Sequence, residues 1–252
     1  QMCIRDSKHL LDASDRGASD LTVAGKLFCD RFPPDKIPAL PTCGIFLRRE
    51  FPLKNNLYFP EGIHPCEDGL FSHFVLALTE KISFCPEAVY HYRQHEQGNH
   101  HQIRKRTADI LPMIPRWLSL IEEFYEQRHL WKRKAGHLVR FIEHEPFELR
   151  LLGMPFSPPE QEILYSIIRD FLTAHCTAAE CRRASLHLPF RLLLQSSGFS
   201  DFGRRLRRAG KNTGIRRKLL HFCPVPSWRR NGRAQLRQVR EQLEEIRRNI
   251  TF

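Results

Sequence analysis

No run of about 18 apolar residues occurs in the 252-residue sequence, which excludes a transmembrane helix. The opening residues also lack the charged-then-apolar pattern of a secretory signal. The eight cysteines form no Cys-x-x-Cys pair, and the closest spacing is Cys176 to Cys181. That argues against a disulfide framework or a zinc site and for reduced thiols in a cytoplasmic protein. No internal repeat is evident, nor any nucleic-acid motif with ordered spacing.

Composition then bounds the class. Hydrophobic residues at 41% and charged residues at 27% fit a globular chain, long enough for one large domain or two small ones. The net charge of +12 is unevenly placed. Residues 1–100 hold 11 Lys/Arg against 13 Asp/Glu, a net of −2, while residues 101–252 hold 29 against 15, a net of +14. Residues 201–252 alone hold 15 against 4, so any basic-surface argument concerns the tail.

The chain is organised around Phe59-Pro-Glu-Gly-Ile-His-Pro-Cys-Glu-Asp-Gly-Leu-Phe-Ser72. It reads as a short extended piece, a turn at Gly62, and a helix that opens at Glu67-Asp68 once Pro65 is passed. Leu70, Phe71, Phe74, Val75 and Leu78 recur at helical spacing and give that helix an apolar face. The two acids stand in its first turn, where unpaired N–H groups favour negative charge and keep Asp68 ionised. Plain helix capping accounts for such a pair as well.

Around it lie Cys43-Gly-Ile-Phe-Leu-Arg-Arg-Glu-Phe51, Phe59-Pro-Glu-Gly62 and Ala88-Val-Tyr-His-Tyr-Arg93. Together with Glu67-Asp68, these ordered blocks resemble the second half of a family 2 glycosyltransferase catalytic domain, over about residues 36 to 105. The resemblance implies an α/β fold: a partial GT-A-like sheet domain at 8–105, followed by a mostly helical extension with a basic tail at 106–252. It implies a sugar moved from a nucleotide-diphospho-sugar to an acceptor hydroxyl, a glycan or a lipid-linked acceptor, in cell-surface polysaccharide synthesis. It makes Asp68, beside Glu67, the catalytic base of an inverting reaction. It places Cys43, Gly44, Glu61, Gly62, His91 and Arg93 near the substrates, and Arg suits a diphosphate because its planar fork donates two hydrogen bonds. A divalent metal, Mg or Mn, is implied too. Its usual motif, Asp-x-Asp, is not in this chain.

Met2 to Ser7 resembles translated sequencing-adapter sequence, so residues 1–7 are expected to carry no fold information and the N-terminal part of the domain to be missing. Whether the remaining part is active alone is left open by the sequence. Leu21, Val23, Ala24, Leu27 and Phe28 suggest a short helix over 20–32, and Thr42–Leu47 an extended segment. Lys81–Cys85 and Val89–Arg93 read as strands. Helices are expected over 107–127, 131–144, 159–175, 178–194 and 199–209, with a break at 145–160.

The C-terminal stretch from Gly232 to Ile250 carries a short heptad seam suited to its own domain or to a homo-oligomer. Arg204-Arg-Leu-Arg-Arg208, Arg216-Arg-Lys218 and Arg229-Arg230, interleaved with Leu206, Leu219, Leu220, Phe222 and Trp228, suit a peripheral segment on an anionic membrane, such as the inner membrane face. A noncatalytic basic helical binding protein, engaging anionic membrane or nucleic acid, is the alternative.

Overall fold

Helices make up 73% of the described residues in the computed structural model. The structure describes residues 21–24, 42–79, 82–85, 87–88, 106–185, 187–219, 236–237 and 239; at 21–24, 43, 84 and 212–219 it describes the backbone alone. The elements are β1 (Leu21–Ala24), a 3₁₀ turn (Thr42–Gly44), β2 (Ile45–Leu47), α1 (Glu50–Lys54), α2 (Glu67–Leu78), β3 (Ile82–Cys85), α3 (Thr107–Ile110) and α4 (Met113–Gln127). They continue with α5 (Trp131–Ile142), a π-helical segment (Glu143–Leu152), α6 (Pro158–His175), α7 (Ala178–Ala184), α8 (Leu188–Gln195) and α9 (Phe199–Leu219).

The expected α/β fold with a GT-A-like sheet domain is thereby overturned. Among the described residues strand is confined to three segments of three or four residues, in the order β2-β1-β3. β1 runs antiparallel to β2 and parallel to β3. Such short strands make a ribbon at the edge of a helical body, not a layer that helices could cover on two faces. β1 also stands where a helix was expected, because Leu21-Thr-Val-Ala24 finds a partner on each side and pairing overrides a weak helical pattern.

At the centre lies α2. Its residues Gly69 to Ala77 are all buried, Ser72 and His73 included, so the helix is enclosed on every side instead of showing one apolar face. The polar groups it takes inside are satisfied: the Ser72 hydroxyl donates to the Gly69 carbonyl at 3.0 Å, and His73 meets the Tyr125 hydroxyl at 3.2 Å. α2 packs against α4 and α5. One continuous core joins Leu70 and Val75 to Trp117, Ile121, Leu138, Phe147, Leu164, Phe190 and Phe202. Each fully buried large apolar side chain contributes about 1.5–3 kcal/mol over the exposed state.

Local chemistry sets the helix boundaries. Ser157 and Thr177 open α6 and α7 through capping boxes with Glu160 and Glu180, each pairing a side chain with backbone N–H groups. Pro112 separates α3 from α4, where a single helix over 107–127 was expected. The expected break at 145–160 is mostly helical. Pro146 has no N–H with which to close an ordinary turn, and there the chain widens into π geometry up to Gly153. A Cβ at Gly153 would lie 2.8 Å from the Leu149 carbonyl oxygen, so only glycine ends this segment without a clash.

Candidate active site

Gly62 adopts a left-handed φ of 67°, which turns the chain back toward α2 at low steric cost. Above the turn, Phe59 stacks on Phe71 with ring centroids 4.2 Å apart. Phe59 remains 50% exposed and its neighbour Tyr58 66%, so two aromatic side chains face solvent close to the start of α2. From α4, the Arg116 guanidinium approaches the turn, its Nη2 3.5 Å from the place a Cβ at Gly62 would take. The 3₁₀ turn holding Cys43 and Gly44 also packs on α2.

Cys66 precedes the helix with φ 91°, a left-handed conformation that costs a non-glycine residue about 1–3 kcal/mol. Its carbonyl accepts the Leu70 N–H at 2.9 Å, and its thiol is bonded to the Glu145 carboxylate, which holds the strained residue in place. Burial, and after it Glu145, pushes the Cys66 thiol well above the usual range, so it stays protonated.

Glu67 and Asp68 then occupy the first turn. Glu67 Oε1 meets His64 Nδ1 at 3.3 Å, while its Oε2 is a buried atom with no hydrogen-bond partner among the described residues. Asp68 Oδ1 accepts the Gly69 N–H at 2.8 Å. The Asp68 side chain reaches solvent, yet protein crowds it on one side. That desolvation raises its pKa above the ordinary aspartate value; the Gly69 hydrogen bond opposes the rise, and the Glu145 and Glu67 carboxylates add to it. The helix N-terminus therefore does not dominate, as the position in the first turn alone suggests. The carboxyl is moved toward the range useful to a base at neutral pH.

Of the residues expected at the site, Glu67 and Asp68 stand in the first turn of α2, Gly62 forms the turn before it with exposed Glu61 as its neighbour, and Cys43 and Gly44 lie in a 3₁₀ turn that packs on α2. His91 and Arg93 lie outside the described residues. Arg116 and Glu145 were missed. Arg116 reads in sequence as the polar side of an amphipathic helix, and Glu145 falls in a stretch whose proline hid its helical character. Among the described residues no three His, Cys, Asp or Glu side chains converge to hold a metal. The divalent metal implied by the resemblance thus has no holder in this set. No helix among the described residues is long and apolar enough to cross a membrane.

The grouping supplies an accessible carboxylate of raised proton affinity, aromatic surface for the apolar face of a ring, and a guanidinium for an anion. Set beside family models, curated proteins and solved structures, the chain matches none.

Proposed function

We propose that the start of α2 serves a nucleotide-sugar-dependent glycosyl transfer, with Asp68 as the base. The acceptor hydroxyl oxygen attacks the anomeric carbon of the donor sugar while its proton passes to Asp68. The bond from that carbon to the diphosphate oxygen breaks, and its electron pair leaves with the nucleoside diphosphate. Exposed Phe59 and Tyr58 suit the acceptor ring, and Arg116 suits a phosphate or another anionic group.

The observation that carries the reading is the Asp68 carboxylate itself: accessible, raised in pKa, and next to the Gly62 turn in the order the four sequence blocks set. The reading stands on this chemistry and not on a sheet-domain fold. The products are cell-surface glycans by resemblance alone.

The test measures release of nucleoside diphosphate from a panel of UDP-, GDP- and dTDP-sugars by protein expressed from its full reading frame. Asp68→Asn should lower release by roughly a hundredfold or more, the loss expected of a general base. Turnover by the variant equal to that of the parent ends the assignment.

The outward side of α9 supports attachment to an anionic surface, and with it a cytoplasmic protein held peripherally at the inner membrane face. Arg204, Arg208 and Lys211 follow one another at i, i+4 and i+7 and are exposed, while Phe202 and Leu206 face the core. Leu206 is therefore not one of the membrane-facing apolar residues expected from sequence. The same basic face favours the second reading, a noncatalytic binding protein, should the release assay stay silent with every donor. The heptad seam at 232–250 lies almost wholly outside the described residues.

A further inference from the structure

Beneath the first turn of α2 the π-helical segment brings up a second, buried carboxylate. Glu145 Oε1 lies 3.2 Å from the position a Cβ at Gly69 would occupy, and Cys66 Sγ lies 3.1 Å from the same point. Glu145 Oε2 accepts a hydrogen bond from Arg150 Nη2 at 2.9 Å, and both side chains are about nine-tenths buried, at 9% and 10% exposure. The Arg150 guanidinium in turn lies over the Trp117 ring, 5.4 Å from its centroid. The absence of a side chain at Gly69 is what lets the carboxylate come this close to the helix start.

The arrangement goes beyond what an ion pair needs. A buried pair is weak evidence for stability, because desolvating both charges offsets most of their attraction. Here the pair spans five residues of its own segment, yet the Glu145 carboxylate is spent on a different element, at the thiol of Cys66 and the backbone of Gly69. Those two residues flank Glu67 and Asp68.

We infer that Glu145 is a positioning residue for Asp68, holding the first turn of α2 from below through Cys66 and Gly69 and setting a second carboxylate against it. The inference rests on the reading of Asp68 as the base. The charged and titratable groups at this helix start are Glu67 and Cys66, His64 paired with Glu67, Glu145 and its partner Arg150 from the π-helical segment, and Arg116 at the Gly62 turn. Among the neighbouring charges acting on Asp68, Glu145 comes first and Glu67 second. A neighbouring like charge disfavours ionisation, so removing it should make Asp68 a weaker base that ionises at lower pH.

The experiment follows the Asp68 side-chain carboxyl by ¹³C NMR during a pH titration, in the parent protein and in Glu145→Gln. The midpoint should fall by on the order of one pH unit, the scale on which a neighbouring like charge acts on a carboxyl. The acid limb of the rate profile should move the same way, with kcat reduced and KM little changed. Glu145→Gln leaves the Arg150 charge unpaired, which threatens folding, so Glu145→Gln/Arg150→Met is made alongside it. An unmoved Asp68 midpoint in a folded variant overturns the inference. A moved midpoint together with full activity of Asp68→Asn keeps the positioning role and discards the reading of Asp68 as base.

Discussion

The Tyr125 hydroxyl stands 3.2 Å from His73 Nε2 and also 3.4 Å from His137 Nδ1, with the two imidazoles stacked at 4.3 Å. This places a phenol between two ring nitrogens deep in the core, where α2, α4 and α5 meet. Burial pushes the Tyr125 phenol well above its usual range, so it keeps its proton and can donate to one ring while accepting from the other. Tyr125→Phe removes both contacts from the buried rings. Equilibrium urea unfolding should show a loss of about 1–3 kcal/mol. A variant as stable as the parent would mean that the hydroxyl contributes nothing net.

A second polar cluster ties the π-helical segment to α8. His187 is bonded to Glu148 by its ring, and its backbone N–H donates to Glu143 Oε1 at 2.7 Å; His144 Nδ1 lies 3.7 Å from Glu148 Oε2. The His187 pKa is raised by Glu148, against burial; for His144 burial opposes, and Glu148 prevails. Glu148 is lowered, its two histidine partners outweighing desolvation. A raised histidine contributes stability below its unfolded pKa and loses it as pH rises through the folded value. A lowered glutamate contributes above its unfolded pKa and loses that as pH falls through the folded value. The cluster therefore supports the fold most in the mildly acidic range, and the histidine part fades as pH rises past about 6.5. Melting temperatures recorded across this range should show the dependence in the parent and not in Glu148→Gln.

Arg93 tests the donor side of the proposed reaction. If Arg93 clamps the diphosphate, Arg93→Lys loses the bidentate fork and should weaken nucleoside diphosphate binding about tenfold in calorimetry. Equal affinities would return Arg93 to a structural role.

Basic residues near an anionic bilayer contribute on the order of 1 kcal/mol each, so Arg208→Gln/Lys211→Gln should lower partitioning onto phosphatidylglycerol vesicles by roughly thirtyfold at low salt. High salt should release the parent protein. Steeply salt-dependent binding to duplex DNA, with vesicles ignored, would transfer the same face to nucleic acid.

How much of this was legible in the chain depended on the range of the interaction. The start of α2 is written locally: Pro65 bars the helix, Glu67 and Asp68 open it, and Leu70, Phe71 and Phe74 continue it. What encloses α2 is not local. His73 looks like an interruption of the apolar stripe until Tyr125, 52 residues away, supplies its partner. Glu145 meets Cys66 from a segment where Pro146 masks the helical period, so neither spacing nor composition announces it. The family resemblance pointed to a sheet domain, whereas the described residues realise only three short strands.

Because α2 is buried all the way round, its amides can meet solvent only when the surrounding helices part. Hydrogen exchange along Leu70 to Ala77 should accordingly occur by opening of the whole molecule, at the slowest rates in the protein. Asp68 is thus anchored to an enclosed element that keeps its place for as long as the fold lasts, whereas exposed Tyr58 and Phe59, outside any helix, are not enclosed in that way.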